Sequence, residues 1–253
     1  MFRYAILFLF LVTFSSFVPP AQIPPHLKSK FTVNGSIPVS YAYFDNTYSK
    51  PQVHTSEIFD AYIQKALRRE WGYYGETDEY LYQALDELKD QIQGKEIAII
   101  GSAVPWYESI VLAYGAHPIV IEYNPVTTSD NRVTYLTPDQ YWKNPRKFDL
   151  ILSISSTEHD GLGRYGDPID PDGDLKSMEN FKKMLNPEGK LLIAFPVGPD
   201  HLVWNAHRVY GQIRLKMLFK GWRPIKYYGF LRESIIFGPA SIFQPVFLLE
   251  PKK

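Results

Sequence analysis

Residues 95–125 read "KEIAIIGSAVPWYESIVLAYGAHPIVIEYNP" and combine a strand, a glycine turn, a helix and a second strand. "KEIAII" is a short apolar strand, and Gly101 follows it directly. "WYESIVLAYGA" is a helical segment that ends at Gly115, and "HPIVIE" is a second apolar strand that ends in Glu122. Alternation of strands and helices in this way is typical of α/β proteins with a parallel sheet.

The same alternation extends along the chain in both directions. Before residue 95, the spacing of apolar residues predicts two helices, over 54–71 and 76–94. Thr77 or Asp78 is the predicted cap at the start of the second helix. After residue 125, "KFDLILSIS" at 147–155 is apolar throughout, as a central parallel strand buried on both faces should be. Further strands are predicted over 132–137, 190–198, 224–231 and 244–251, and further helices over 138–144, 174–189 and 204–221.

The last two predicted strands lie close together in the sequence, with no helix of ordinary length between them. This spacing favours an antiparallel hairpin at one edge of the sheet. The predicted fold class is therefore α/β, with an open, mostly parallel, Rossmann-like sheet, helices on both faces and an antiparallel edge hairpin at the C-terminus.

The N-terminal region has a different composition. An apolar run over residues 4–18 follows Arg3; it is shorter than the ~20 residues that span a bilayer comfortably and fits a signal-peptide core. We expect a signal peptide or signal anchor over 1–21, an irregular arm over 22–53 and the α/β domain over 54–253.

That leader predicts a location in the secretory pathway, either in the lumen of the endoplasmic reticulum or Golgi or outside the cell. Contact with a membrane is expected only through residues 4–18, if they are not cleaved. A glycosylation sequon at Asn34-Gly35-Ser36 is consistent with this route.

Charge and cysteine content exclude several classes of partner and site. Lysine plus arginine and aspartate plus glutamate number 27 each, so the formal net charge is zero and we expect no nucleic-acid partner. The chain has no cysteine, which excludes disulfides, zinc–thiolate sites and a cysteine nucleophile. The sequence predicts no particular oligomeric state.

Two loops that follow strands carry candidate binding residues. Ligands of open α/β sheets bind outside the carboxyl ends of the strands. Gly101 permits a sharp turn there, and Ser102 and Ala103 are small enough for a ligand to approach the main chain. Glu122 lies 21 residues after Gly101 and is placed to accept both hydroxyls of a ribose. An ordinary tight turn and a solvated glutamate remain the alternatives.

A third loop, "SISSTEHDGLG" at 153–163, carries the candidate catalytic residues. The polar groups of Ser153 and Ser155 end a buried strand and can hold a polar edge of a ligand. His159 titrates near neutral pH and can transfer a proton, while Glu158 or Asp160 can fix its tautomer. Capping of the following turn by the two acids is the alternative.

The segment "GDPIDPDGD" at 166–174 contains four aspartates. It lacks the residue order of a calcium-binding loop, and proline and Asp-Gly turns explain its composition, so no metal ligands are predicted. It would also suit a lid over the crevice. Its aspartates are Asp167, Asp170, Asp172 and Asp174.

Residues 97–125, together with "FDLILSISSTEHDGLGRYGDPIDPDGD" at 148–174 and "NPEGKLLIAFPVG" at 186–198, resemble class I S-adenosylmethionine-dependent methyltransferases. More closely, they are similar to a domain-of-unknown-function family found in nematodes, with bacterial relatives. The resemblance covers roughly residues 70–250.

The resemblance implies a methyltransferase-like fold and S-adenosylmethionine as cofactor. It places Gly101 at the glycine turn that meets the cofactor, Glu122 at the ribose, and Ser153–Ser155 at the end of the strand beneath the methyl-transfer site. Glu158 and His159 resemble an "EH" pair that often follows that strand. The family's pattern has an acid and further glycines where this chain has Ile99, Ala103 and Pro105.

The predicted function is transfer of a methyl group to an oxygen of a small molecule or glycan. A catalytically degenerate methyltransferase-like fold that binds a nucleoside or sugar is one alternative. A metal-assisted hydrolase that uses the aspartate-rich segment 166–174 is another.

Overall fold

A computed structural model describes residues 18–47, 51–237 and 243–252. The helices are α1 (Pro25–Phe31), α2 (Ser56–Leu67), α3 (Glu76–Ile92), α4 (Trp106–Ala113), α5 (Pro138–Lys143), α6 (Gly173–Met184), α7 (Arg214–Leu218) and α8 (Ser234–Phe237), with one 3₁₀ turn at Thr157–His159. The strands are β1 (Val39–Tyr41), β2 (Gln52–His54), β3 (Glu96–Ile100), β4 (His117–Ile121), β5 (Val126–Thr128), β6 (Thr134–Leu136), β7 (Phe148–Ile154), β8 (Leu185–Ala194), β9 (His201–Trp204), β10 (His207–Val209), β11 (Trp222–Tyr228) and β12 (Val246–Pro251).

A seven-stranded sheet forms the centre of the fold, in the order β11-β12-β8-β7-β3-β4-β6. The strands from β8 to β6 in this order pair in parallel. β12 runs antiparallel to both of its neighbours and lies between β8 and β11. The predicted fold class, including the antiparallel pair at the C-terminus, is confirmed.

The strand order reverses next to β3, because the chain continues from β3 to β4 on one side and later places β7 on the other. The carboxyl ends of β3, β4 and β7 meet at this point. Such a reversal leaves a crevice between the loops that follow the strands, and this is where ligands of open α/β sheets bind.

The apolar run at residues 150–152 of β7 has a direct structural reason. Leu150 and Leu152 belong to the core on one face of the sheet, and Ile151 between them belongs to the core on the other face. α2, α3 and α4 contribute to the first core, whereas α5, α6 and α7 contribute to the second. Successive side chains of a strand point to opposite faces, so a strand covered on both sides needs apolar residues at every position.

The segment N-terminal to α2 contains regular structure as well. β1 pairs in parallel with β9, and β9 pairs with β10. A third apolar cluster holds this small sheet to the domain: Phe31 packs edge-on against Trp204, with ring centroids 5.0 Å apart. Residues that the sequence assigned to an irregular arm are thus tied to the domain by backbone pairing and by a buried aromatic contact.

The long helix predicted over 204–221 is wrong. The structure has the end of β9, then β10 and the short helix α7 there. Along β9 the residues alternate between half-buried and buried positions, with Leu202 and Trp204 inside. Its partner β1 lies about 160 positions earlier in the chain, at Val39–Tyr41. Tertiary pairing therefore decides this segment, which local apolar spacing assigns to a helix.

None of the helices in the described ranges is long and apolar enough to cross a membrane. The predicted leader lies outside these ranges except for residues 18–21.

Candidate functional site

A large cavity opens at the carboxyl ends of β3, β4 and β7, with a volume of about 830 Å³. The loops after all three strands line it, so the turns near residues 101, 122 and 156 converge on one hollow. Seven of the predicted site residues lie on its wall: Gly101, Ser102, Ala103, Glu122, Ser155, His159 and Asp160. Glu158 and Ser153 lie behind it.

The turn after β3 passes very close to the turn after β7. Gly101 has a φ of +71°, and a Cβ atom at this position would lie 2.9 Å from the Ser156 Cβ atom. The position therefore requires glycine both for its backbone conformation and for space. The absence of a side chain leaves the backbone of residues 101–103 open to the cavity.

Glu122 links the first two loops. Its Oε2 atom accepts a hydrogen bond from the Ser102 backbone N–H at 2.7 Å, and its Oε1 atom accepts one from the Asn124 N–H at 2.9 Å. Burial raises the pKa of Glu122, and the backbone hydrogen bonds act against that rise. Each carboxylate oxygen can accept more than one hydrogen bond, so the group can also bind a ligand hydroxyl.

A second buried acid, Glu108 on α4, lies beneath the first loop and was not predicted from the sequence. Its Oε2 atom is 2.8 Å from the Ser102 hydroxyl, and its Oε1 atom accepts a hydrogen bond from Tyr135 at 3.0 Å. The Tyr135 hydroxyl in turn lies 2.9 Å from Nδ1 of His54. Burial raises the pKa of Glu108 to about 7. The sequence signal for Glu108 was a charged residue within an apolar helical segment, because such a residue must be paired or neutral when it is buried.

The two serines at the end of β7 have different surroundings. Ser153 is fully buried, and its hydroxyl bonds to the Thr157 hydroxyl at 2.8 Å. Ser155 lines the cavity and donates to Oε1 of Glu158 at 2.6 Å. Burial raises the pKa of Glu158 to about 7, and its Oε2 atom has no hydrogen-bond partner among the described residues. Glu158 therefore acts on the cavity only through its neighbours.

His159 has a defined tautomer. Its Nδ1 atom lies 2.6 Å from the Ala206 carbonyl oxygen, which can only accept, so Nδ1 carries the proton and Nε2 bears a lone pair. Nε2 is 3.7 Å from Oε1 of Glu158. Burial, followed by the nearby charge of Arg164, lowers the pKa of His159 to about 3. The imidazole is thus neutral at physiological pH.

Asp160 is the predicted catalytic carboxylate that both lines the cavity and is tuned toward proton transfer. Its Oδ2 atom accepts a hydrogen bond from the Ser177 hydroxyl at 2.6 Å. Burial raises the pKa of Asp160 well above its ordinary value, and the charge of Asp167 adds to the rise. A carboxylate with a raised pKa is a stronger base than an exposed one.

The aspartates of segment 166–174 serve the loop itself. Asp167 accepts from the backbone N–H groups of Gly161 and Gly163 at 2.7 and 3.1 Å. Asp170 pairs with Lys176, and Asp174 is buried against Arg214. Within the described ranges, no group of three or more His, Asp or Glu side chains is arranged to hold a metal ion.

The start of α3 organises the cover of the cavity, a role that the sequence did not reveal. Asp78 is fully buried and accepts hydrogen bonds from the Gly72 N–H, from Trp106 Nε1 at 2.9 Å and from the Tyr107 hydroxyl at 3.3 Å. The sequence predicted Thr77 or Asp78 as a helix cap, but Gly75 occupies the N-cap position. Trp106 and Tyr107 line the cavity without filling it.

Taken together, these contacts give the cavity two chemically distinct parts. The loops after β3 and β4 present open backbone and the Glu122 carboxylate, which suit a hydroxyl-bearing ligand. The loop after β7 presents the His159 imidazole and the Asp160 carboxyl, which suit proton transfer.

A family model described as "Caenorhabditis protein of unknown function, DUF268" matches residues 94–236, which is more than half of the chain. The family predicted from the sequence is thereby confirmed. Comparison with curated proteins gives no match.

Solved structures of methyltransferases share the fold. The 1,6-didemethyltoxoflavin-N1-methyltransferase of Burkholderia thailandensis, solved with 1,6-didemethyltoxoflavin and S-adenosylhomocysteine bound, has a TM-score of 0.54 at 14% identity, over 84% of this chain and 99% of that one. An S-adenosylmethionine-dependent methyltransferase of Clostridium acetobutylicum has a TM-score of 0.45 at 12% identity, over 77% and 98% of the two chains. The fold assignment rests on the first of these and on the strand order, and the chain belongs to the DUF268 family with a methyltransferase-like fold.

Proposed function

We propose that this protein is an S-adenosylmethionine-dependent methyltransferase that transfers a methyl group to an oxygen of a small molecule or glycan. One observation supports this most strongly. A single cavity of about 830 Å³ brings the open turn at Gly101, the Glu122 carboxylate and the proton-transfer groups His159 and Asp160 onto one wall.

The residues at the first two loops fit the proposed cofactor. The missing side chain at Gly101 leaves room for the cofactor against the main chain of residues 101–103. Glu122 is held by the Ser102 and Asn124 N–H groups in an orientation that leaves lone pairs for ribose hydroxyls. S-adenosylmethionine supplies a methyl group that is already activated on a sulfonium.

Because the methyl group is activated, the protein has to align the acceptor and remove its proton. Asp160 suits the second task, since its raised pKa makes it a stronger base and it lines the cavity. His159 is less suited as the base because its pKa is lowered to about 3. Its Nε2 lone pair is placed to accept a hydrogen bond from the acceptor and so to orient it.

Calorimetric titration of the purified protein with S-adenosylmethionine tests the proposal, and two glycines with the same φ of +71° provide a matched pair. Gly101→Ala adds backbone strain and a clash with Ser156, whereas Gly94→Ala adds the strain alone, because nothing lies within 4 Å of a Cβ atom at Gly94. We expect Gly101→Ala to weaken binding at least ~10-fold and Gly94→Ala to leave it unchanged. Absence of binding to the wild type at millimolar cofactor would contradict the proposal.

The low pKa of His159 favours a second candidate, a methyltransferase-like fold that binds a nucleoside or sugar without chemistry. S-adenosylmethionine and S-adenosylhomocysteine would then bind, but incubation with methyl-labelled cofactor and candidate acceptors would transfer no label.

We also propose that the protein enters the secretory pathway, with residues 1–21 as leader or anchor ahead of the arm and the α/β domain. The apolar run over 4–18 and the exposed position of Asn34 support this. Expression in a eukaryotic cell followed by glycosidase treatment should shift the mass of the wild type, and Asn34→Gln should abolish the shift.

A further inference from the structure

Arg164 is a cation on the cavity wall that has no carboxylate partner in the described part of the chain. It is half-buried in the loop that follows the 3₁₀ turn, and none of the described acidic side chains lies within ion-pair distance of it. The other buried or half-buried arginines in the described ranges, Arg132, Arg208 and Arg214, each pair with an aspartate. A guanidinium withdrawn from water is stabilised by an anion, and residues 18–47, 51–237 and 243–252 do not provide one for Arg164.

The side chain is nevertheless held in place. Arg164 Nε donates to the Asn46 amide oxygen at 2.7 Å, and Nη1 donates to the Ala206 carbonyl at 3.3 Å. The guanidinium carbon lies 4.6 Å from the ring centroid of Phe44 and 5.1 Å from that of Tyr165. Nη2 makes no hydrogen bond to the described residues, so a pre-oriented planar donor remains for a ligand.

Neighbouring groups leave the charge of Arg164 largely uncompensated. His159 and His207 are neutral, because burial lowers the pKa of both. Burial raises the pKa of Glu158 to about 7. The Lys176 ammonium and the Asp170 carboxylate, which also line this part of the cavity, neutralise each other at 2.5 Å. Asp160 and Asp167 line the cavity too, and neither lies within ion-pair distance of Arg164. The guanidinium therefore remains able to pair with a ligand anion.

We infer that the acceptor carries a carboxylate that Arg164 binds, and that a hydroxyl of the same molecule receives the methyl group. This inference rests on the proposed function and narrows its acceptor class. Removal of the hydroxyl proton by Asp160 makes that oxygen a stronger nucleophile than the carboxylate bound by Arg164, because an alkoxide or phenolate is more basic than a carboxylate. Its oxygen forms the new bond to the methyl carbon, the sulfur–carbon bond breaks with its electrons remaining on sulfur, and the hydroxyl proton passes to the ionised form of Asp160, which becomes the neutral carboxylic acid.

Two classes of hydroxy acid have this chemistry, and matched probes distinguish them. Aromatic residues such as Trp71, Tyr73, Tyr74 and Tyr165 line the cavity and would stack on a planar hydroxy acid, whereas a uronic acid would come from a glycan. 4-Hydroxybenzoate is compared with the neutral 4-hydroxybenzamide, and glucuronate with glucose. Dissociation constants are measured by ligand-observed NMR on the full chain, with and without S-adenosylhomocysteine.

We expect at least one acid to bind ~10-fold or more tightly than its neutral counterpart, and Arg164→Gln to abolish that preference while the neutral compound binds as before. Lys65→Gln serves as the control, because Lys65 is another cation on the cavity wall and lies 5.5 Å from the Tyr62 ring. It should leave the preference intact.

The inference is overturned if neither acid binds better than its neutral counterpart, or if Lys65→Gln has the same effect as Arg164→Gln. Its failure is separable from failure of the proposed function. Titration of Arg164→Gln with S-adenosylmethionine should give the wild-type affinity, since Arg164 has no contact with the turn at Gly101 or with Glu122.

Discussion

Two glutamates, Glu108 and Glu158, are almost fully buried, and burial raises the pKa of each from 4.5 to about 7. A carboxyl whose pKa is higher in the folded than in the unfolded protein binds more protons when folded. Its protonated form therefore favours folding below pH ~4.5, and this contribution is lost as the pH rises through about 7. Glu108 and Glu158, which lie next to the candidate site, should therefore make the folded protein less stable at alkaline pH.

Glu108→Gln should remove most of the loss of stability that Glu108 causes at alkaline pH. Glutamine reproduces the protonated acid, since its amide N–H can donate to the Ser102 hydroxyl and its carbonyl can accept from Tyr135. We expect the variant to be more stable than the wild type at pH 8, by on the order of 2 kcal/mol, and no more stable at pH 4. Urea unfolding at the two pH values measures this difference.

Glu96→Gln is the control for that experiment, because Glu96 is exposed and pairs only with Arg146 at the surface. It should shift stability by less than ~1 kcal/mol at either pH. If Glu108→Gln and the wild type were equally stable at pH 8, burial would not raise the pKa of Glu108.

Glu122 should determine cofactor affinity. In Glu122→Gln, one amide N–H group would face the N–H of Ser102 or of Asn124, which now donate to the two carboxylate oxygens at 2.7 and 2.9 Å. Loss of one such bond and of the charge should weaken S-adenosylmethionine binding ~10- to 100-fold by calorimetry. Unchanged affinity of Glu122→Gln for S-adenosylmethionine would show that the Glu122 carboxylate does not bind the cofactor.

At the scale of elements, the contact between α3 and α4 fixes the cover of the cavity. Asp78 at the start of α3 accepts hydrogen bonds from Trp106 and Tyr107 at the start of α4 and from the backbone of Gly72. One buried carboxylate thus joins two helices and the aromatic segment 71–74 that lines the cavity. The position of this segment depends on the helix packing.

Asp78→Ala should leave these three donors without a partner in a buried site and destabilise the fold by about 3 kcal/mol. Asp86→Ala, on the same helix, breaks an exposed pair with Arg69 and an exposed hydrogen bond from the Tyr114 hydroxyl, and should cost about 1 kcal/mol. Denaturant unfolding measures both, and tryptophan fluorescence of the folded state should change only in Asp78→Ala, since Trp106 loses its hydrogen bond. Similar stabilities of the two variants would contradict this role.

At the scale of the whole molecule, the sheet β1-β9-β10 ties the N-terminal segment to the domain across more than 150 positions of the chain. The third apolar cluster, which contains Phe31 and Trp204, is small compared with the two cores on the main sheet. Local opening of the N-terminal segment should therefore require less free energy than unfolding of the central sheet.

Phe31→Ala should release the segment without unfolding the domain. The substitution removes a buried ring that contacts Trp204, at a cost of about 3 kcal/mol for docking of the segment. We expect trypsin to cleave at Lys28 or Lys30 at least ~10-fold faster than in the wild type, while residues beyond α2 stay resistant. Simultaneous loss of the whole domain to trypsin would show that the segment and the domain unfold as one unit.

The sequence was most informative where local pattern and burial coincide. The centre of β7, residues 150–152, is apolar because both of its faces are covered, and this pattern is visible without a structure. Gly101 and Glu122 were identified because a strand that ends in a glycine turn, and another that ends in an acid, place them at the same edge of a parallel sheet.

The sequence could not reveal features that depend on distant pairing. β10 was predicted as part of a helix because β9, with which it pairs, is held by β1 about 160 positions away. Asp78 was predicted as a cap because Trp106 and Tyr107 reach it only in the folded state. The same holds for the different surroundings of adjacent residues: Glu158 lies behind the cavity, whereas His159 and Asp160 line it.

By itself, the sequence determined the α/β class, the mostly parallel character of the sheet and the loops that carry polar residues, because apolar period and turn chemistry are local properties. Only the tertiary structure decided which carboxyls are buried, that Arg164 forms no ion pair with the acidic side chains the structure describes, and that the three loops enclose one cavity. Burial, charge pairing and shape arise from residues far apart in the chain, and these quantities set the pKa values and ligand contacts on which function depends.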